Sequence, residues 1–130
     1  MPWARALAVW LVMAAVEIAH GALRRLYVEP FVGDWRARQI GAIVGALLVL
    51  AVAILTIRWL GTQSWRTLGM IGLFWLVLMV TFEVVGGRLA AGYTWNRILA
   101  DYDIARGGLL GVGMAVVAAS PLIAARVRRV

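Results

Sequence analysis

Two glutamates are the residues of this chain best placed to do chemistry. Each lies near the same end of a long apolar run and is followed by glycine and arginine. One run reads Glu17-Ile18-Ala19-His20-Gly21-Ala22-Leu23-Arg24, the other Glu83-Val84-Val85-Gly86-Gly87-Arg88. A carboxylate inside a membrane-length helix costs about 2.5–3.5 kcal/mol on insertion scales, so a pair at matching places points to a site. Glu17, His20, Gly21 and Arg24 fall at i, i+3, i+4 and i+7, which sets them on one helical stripe. Glu17 lies about four residues, or roughly 6 Å, inside the boundary of its run. Glu83 has Gly86 and Gly87 on its own face, with Arg88 just around the corner.

Three kinds of chemistry use such groups. A carboxylate that takes up a proton or cation gates a transport pathway, and His20 titrates close enough to neutrality to assist. Metal binding is the second: Glu17-x-x-His20 has the i, i+3 spacing of diiron bundles. The other run offers only Glu83-x-x-Gly86, half of such a set, so neither a metal nor another cofactor is expected. The third is structural, with Glu–Arg pairs fixing helix register.

The elements that must position these groups are membrane helices. The chain has 130 residues, 64% of them hydrophobic, and a mean hydropathy of +0.90, too apolar for a soluble domain of this size. Apolar runs at about 6–23, 40–60, 68–86 and 107–125 each approach the ~20 residues that cross a bilayer core. They lack the alternation of barrel strands. The expected fold is therefore an all-α integral membrane protein, a single transmembrane domain over 1–130 with four helices in a bundle. Arg5 and the small residues Ala19-His20-Gly21-Ala22 resemble the flanks of a secretory signal, but the run is longer than a usual signal core and is expected to remain as a helix.

The bundle reads as one helical hairpin written twice. Each glutamate-bearing helix leads into a polar connector, 27–38 or 93–106, and each connector closes on aspartate and Ala-Arg. Each second helix opens with glycines four apart, Gly41-x-x-x-Gly45 and Gly107-x-x-x-Gly111, which suggests close packing between the second and fourth helices or across a dimer seam. In the 88–106 connector, Trp95, Ile98, Leu99 and Tyr102 recur every three or four residues, predicting a short amphipathic helix on the membrane surface with Thr94 as its N-cap. Asp34 and Arg38 from the first connector, and Asp101, Asp103 and Arg106 from the second, would sit over the mouth of the bundle as a lid, a funnel or ion pairs pinning the connectors. Ser120 precedes Pro121 inside the last run and can satisfy the carbonyl that proline frees. Most tryptophans lie near predicted helix ends as interface anchors, whereas Trp75 is interior and reads as packing.

The net charge of +7 comes from 13 arginines without a lysine, and there is no cysteine. Disulfides and thiolate chemistry are excluded. Nucleic-acid binding needs a basic face on a folded soluble surface, and these arginines lie at helix ends beside lipid headgroups. Basic residues are nearly balanced between the two sides, but Glu29, Asp34, Asp101 and Asp103 all fall away from the termini. With the compact anchor Arg126-Val127-Arg128-Arg129, this favours cytoplasmic termini, as in a bacterial inner membrane. No nucleophile triad, phosphate loop or dinucleotide fingerprint is present, so an enzyme is the weaker expectation. The expected function is a proton- or ion-responsive transporter or channel built on Glu17, His20, Arg24, Glu83 and Arg88. Because four helices make a thin wall, a homo-oligomer, most simply a dimer, is expected. The alternatives are an accessory subunit of a larger membrane complex and, third, a membrane-embedded metal site or enzyme.

Overall fold

The computed structural model describes residues 2–61, 64–90 and 92–128, with the side chains of Pro2, Ala90 and Arg106 left aside. Helix α1 (Pro2–Leu23) continues through a π-helical turn (Arg24–Val28) into a short α2 (Glu29–Val32). Then come α3 (Asp34–Leu60), α4 (Trp65–Val85) with a second π-helical turn (Gly86–Ala90), α5 (Trp95–Tyr102), a 3₁₀ turn (Ile104–Arg106) and α6 (Leu110–Val127). Four stretches are long and apolar enough to cross a membrane: Trp3–Val32, Asp34–Leu60, Trp65–Leu89 and Leu110–Val127.

The helices outrun the apolar segments of the sequence. The stretch 27–38 contains no extended loop: the chain stays helical to Val32, breaks at Gly33 alone, and starts α3 at Asp34. Gly33 has φ of 87°, a conformation that residues with a Cβ rarely adopt, and this reverses the chain in one residue. Polar residues in 27–38 mark where the apolar runs stop, which is not where the helices end. Helix α4 likewise starts at Trp65, because Ser64 accepts a hydrogen bond from the Thr67 amide at 3.3 Å and caps it. Thr94 caps α5 in the same way, accepting from the Arg97 amide at 3.2 Å, where the sequence places an N-cap.

Helix α1 packs on α3 and α4, and α6 packs on the same two. Between such apolar helices, close backbone approach and hydrogen bonds hold the packing. Gly72 of α4 lies so near α6 that a Cβ there would collide with the Ala118 carbonyl oxygen. Gly113 of α6 plays this part against α3, where a Cβ would lie 3.3 Å from the Ala42 oxygen. Trp75, fully buried, donates its indole N–H to the Ala6 carbonyl at 2.9 Å and ties α4 to α1. Two edge-on aromatic pairs, Trp3–Phe74 and Trp10–Phe82, line the same seam at 5.4 and 6.0 Å. Trp10 is thus a packing residue, while Trp3, Trp59, Trp65 and Trp95 are exposed near helix ends.

Pro121 is accommodated inside α6. The Ser120 hydroxyl donates to the Val117 carbonyl at 2.7 Å, the group whose helical donor proline lacks. At the end holding the termini, Arg5 donates to the Trp59 carbonyl at 2.8 Å and Arg58 to that of Arg128 at 3.3 Å. Arg129, in the same basic anchor, lies outside the described residues.

Candidate functional site

At the end of the bundle away from the termini, α1, α3, α4, α5 and α6 enclose a partly open cavity of about 470 Å³. Glu17 enters it from α1 and Glu83 from α4, with His20 and Arg24 from the α1 side and Asp101 and Tyr102 from α5. The two glutamates, 66 residues apart in sequence, therefore line one space. Its inner end is apolar, formed by Val49, Met79, Met114 and Val117, all buried. Beyond these the core is closed by the fully buried Met13, Ile57, Leu60, Leu68, Ile71 and Trp75.

Glycine makes room for the charges. Glu17 lies against Gly45 of α3, where a Cβ would come within 2.9 Å of Oε2 and 3.2 Å of Oε1. One turn nearer the mouth, Arg24 lies against Gly41, where a Cβ would meet Cδ at 2.8 Å and Nη1 at 3.0 Å. Gly41 and Gly45 thus cradle polar side chains of the α1 stripe; the close approach of α3 to α6 is made at Gly113 instead. Gly107 precedes α6, with φ of 89°, and its carbonyl accepts from the Gln39 amide at 2.8 Å. Gly111 lies beside Tyr102. Gly107 and Gly111 therefore do not form one face of a helix, and Gly111 has no counterpart of the Gly45–Glu17 contact.

The charges at this level are only partly paired. His20 Nδ1 is 3.9 Å from Glu17 Oε2, a loose contact. Glu17 Oε1, Arg24 Nε and the Tyr102 hydroxyl are buried with no hydrogen-bond partner among the described residues. Buried polar atoms left so are uncommon, and each asks for an explanation such as a bound ion, water or ligand. The π-helical turns add to this: one follows the Glu17 helix and carries Arg24, the other follows the Glu83 helix, and such turns recur at functional sites.

Around the mouth the pairing is dense. Asp34 takes two hydrogen bonds from Arg97, at 2.8 and 2.9 Å, and an ion pair from Arg38 at 3.1 Å. Arg38 also binds Asp101 at 2.8 Å. The resulting chain, Asp101–Arg38–Asp34–Arg97, fastens α5 to the start of α3. Arg97 lies over the Tyr93 ring at 4.2 Å, and Arg25 hydrogen-bonds the Tyr93 hydroxyl. Burial lifts the Asp101 carboxyl above the usual aspartate value, outweighing the opposing pull of Arg38, Arg97 and Arg24. Burial, followed by Glu83 and Asp101, pushes the Tyr102 phenol up to about 12.

The sequence-derived site residues divide accordingly. Glu17, His20, Arg24, Glu83, Arg38 and Asp101 line the cavity, with Asp34 just outside in the ion-pair chain. Arg88 does not reach it: its guanidinium lies over Trp95 at 5.2 Å and donates to the Tyr93 carbonyl at 3.1 Å. Asp103 ends α5, where its carbonyl accepts from the Gly108 amide at 2.9 Å. The Arg106 side chain lies outside the described residues. Arg97 and Gln39 are not among the site residues read from the sequence, and Tyr102 reads there only as part of an apolar stripe. Gln39, a lone amide where α3 turns apolar, was a legible signal; Tyr102 was not, since its ring does belong to the buried face of α5. Comparison with known proteins finds no matching family, no matching curated protein and no matching solved structure.

Proposed function

We propose that this chain is an integral membrane protein, a four-helix bundle of two related hairpins, that works as a small proton- or cation-responsive carrier with Glu17 and Glu83 as the responsive pair. The supporting observation is that carboxylates from α1 and α4 line one cavity in which Glu17 Oε1 and Arg24 Nε lack hydrogen-bond partners among the described residues. Intramembrane ionisable groups of this kind mark ion and substrate pathways. A carrier is favoured over an open channel because the cavity ends on buried apolar residues, with no continuous polar path among the described residues. The hairpin relationship draws support from the π-helical turn that follows each glutamate-bearing helix. The arginines at the terminal end, far from every acidic residue, favour cytoplasmic termini in a bacterial inner membrane, so the cavity would face outward. A homodimer would give the thin wall of four helices its support.

The test begins with the mass and composition of the particle purified in mild detergent from its native membrane. A homo-oligomer free of other chains is the expected result, and a reproducible foreign partner would replace the carrier with an accessory subunit. Proteoliposomes then report proton uptake with an entrapped pH dye. Glu17→Gln and Glu83→Gln should each lower the rate at least about tenfold with folded protein unchanged. Full activity in both variants would end the proposal.

A further inference from the structure

A second hollow, outside the functional reading above, opens on the flank of the bundle. It is a groove of about 330 Å³ between the π-helical turn after α1 and the first turns of α3, walled by Leu23, Tyr27, Val28, Ile40 and Val44. Leu23, Tyr27, Ile40 and Val44 are exposed, so in a bilayer this groove faces lipid. Its inner wall is His20, Arg24 and Gly41, and these same three residues line the central cavity. Groove and cavity therefore meet at Arg24. The meeting point depends on glycine, since a Cβ at 41 would lie 2.8 Å from the Arg24 side chain. Arg24 Nε is buried without a hydrogen-bond partner among the described residues, and so, one turn deeper beside Gly45, is Glu17 Oε1.

The order from membrane to interior is thus apolar groove, guanidinium, then carboxylates. A soluble cation has no use for the groove. A lipid with a purely anionic head would meet Arg24 favourably but face Glu17 and Glu83 beyond it as like charges. The complementary molecule carries an acyl chain, an anionic group next to the chain and a cationic group at the tip. We propose that the cavity takes the headgroup of an amine-terminated zwitterionic phospholipid through this side groove. An acyl chain lies along Leu23, Ile40 and Val44, the phosphate meets Arg24, and the ammonium lies between Glu17 and Glu83. Gly41 and Gly45 are four residues apart, about 6 Å along the helix, a span that the outer phosphate oxygens and the ammonium of an extended ethanolamine head can bridge. The inference rests on Glu17 and Glu83 being a cation-responsive pair, and it adds the class of molecule that supplies the cation.

Native mass spectrometry of the full chain in mild detergent tests it, with dioctanoyl phosphatidylethanolamine, dioctanoyl phosphatidylglycerol and free phosphoethanolamine as probes. The expected result is one phosphatidylethanolamine per chain, held about tenfold more tightly than phosphatidylglycerol, the loss of one charge-assisted contact. Glu83→Gln should remove that preference. Val44→Trp, which fills the groove from its lipid face and leaves the core untouched, should weaken the lipid about tenfold and leave phosphoethanolamine unchanged. Equal binding of the two lipids, no effect of Val44→Trp, or phosphoethanolamine bound as tightly as the lipid would overturn the inference. If proton uptake still depends on both glutamates in that event, the carrier stands and only the lipid falls. If neither binding nor uptake responds to the glutamate variants, both fall.

Discussion

Placing alanine at two buried glycines, Gly72 and Gly45, should give opposite results. Both lie in helices long and apolar enough to cross a membrane. At Gly72 a Cβ meets a backbone carbonyl, that of Ala118, which moves only if α6 moves with it. Overpacking of that kind costs about 1–3 kcal/mol, and α4 and α6 must part along a seam that also holds Pro121. The gain of helix propensity from glycine to alanine, at most about 1 kcal/mol, does not offset it. At Gly45 the Cβ meets the tip of Glu17, at 2.9 and 3.2 Å, and a flexible carboxylate can swing away. Gly45→Ala should therefore fold as well as the parent, or up to about 1 kcal/mol better, while pushing Glu17 from its place. Unfolding of the detergent-solubilised protein by heat or denaturant measures the first half, and proton uptake in proteoliposomes the second. Gly72→Ala should lower stability with any residual activity following the folded fraction. Gly45→Ala should lose activity at full stability. Equal stability losses at both sites, or full uptake in Gly45→Ala, would refute the assignment of Gly45 to the site rather than to the packing.

Other outcomes follow from the same geometry. Arg38→Ala removes the link between Asp101 and Asp34 and should loosen α5, seen as faster amide exchange over 95–102; the global stability loss stays near 1 kcal/mol because both pairs keep some contact with water. Trp75→Phe keeps most of the packing but removes the donor to Ala6, at a cost of about 1–2 kcal/mol in thermal or denaturant unfolding. Tyr102 should ionise near pH 12 by phenolate absorbance, with that late step absent in Tyr102→Phe. Its folded value lies above its unfolded one, so its contribution to stability is whole below pH 10 and is lost as pH rises towards 12.

Much of this protein is determined by sequence alone. The apolar runs dictate four helices long and apolar enough to cross a membrane. The period of Trp95, Ile98, Leu99 and Tyr102 dictates a short amphipathic helix, and Thr94 starts it. Ser120 ahead of Pro121 signals its own hydrogen bond. These are local matters, decided by residues within a turn or two of one another. The stripe of Glu17, His20 and Arg24 was legible for the same reason. What only the tertiary structure decided is which helix each stripe faces. Gly41 and Gly45 look like helix-packing glycines until α1 lays Arg24 and Glu17 across them, and Gly113, outside any glycine pair four apart, makes the α3–α6 contact. Arg88, at i+5 from Glu83, already falls off the stripe that Arg24 keeps at i+7 from Glu17. That it settles over Trp95 while Arg24 reaches the cavity is decided in the packed bundle, where one π-helical turn begins at Arg24 and the other at Gly86. A turn that takes in extra residues rotates everything after it, so the direction of a side chain beyond such a turn depends on where in the packed bundle the turn falls.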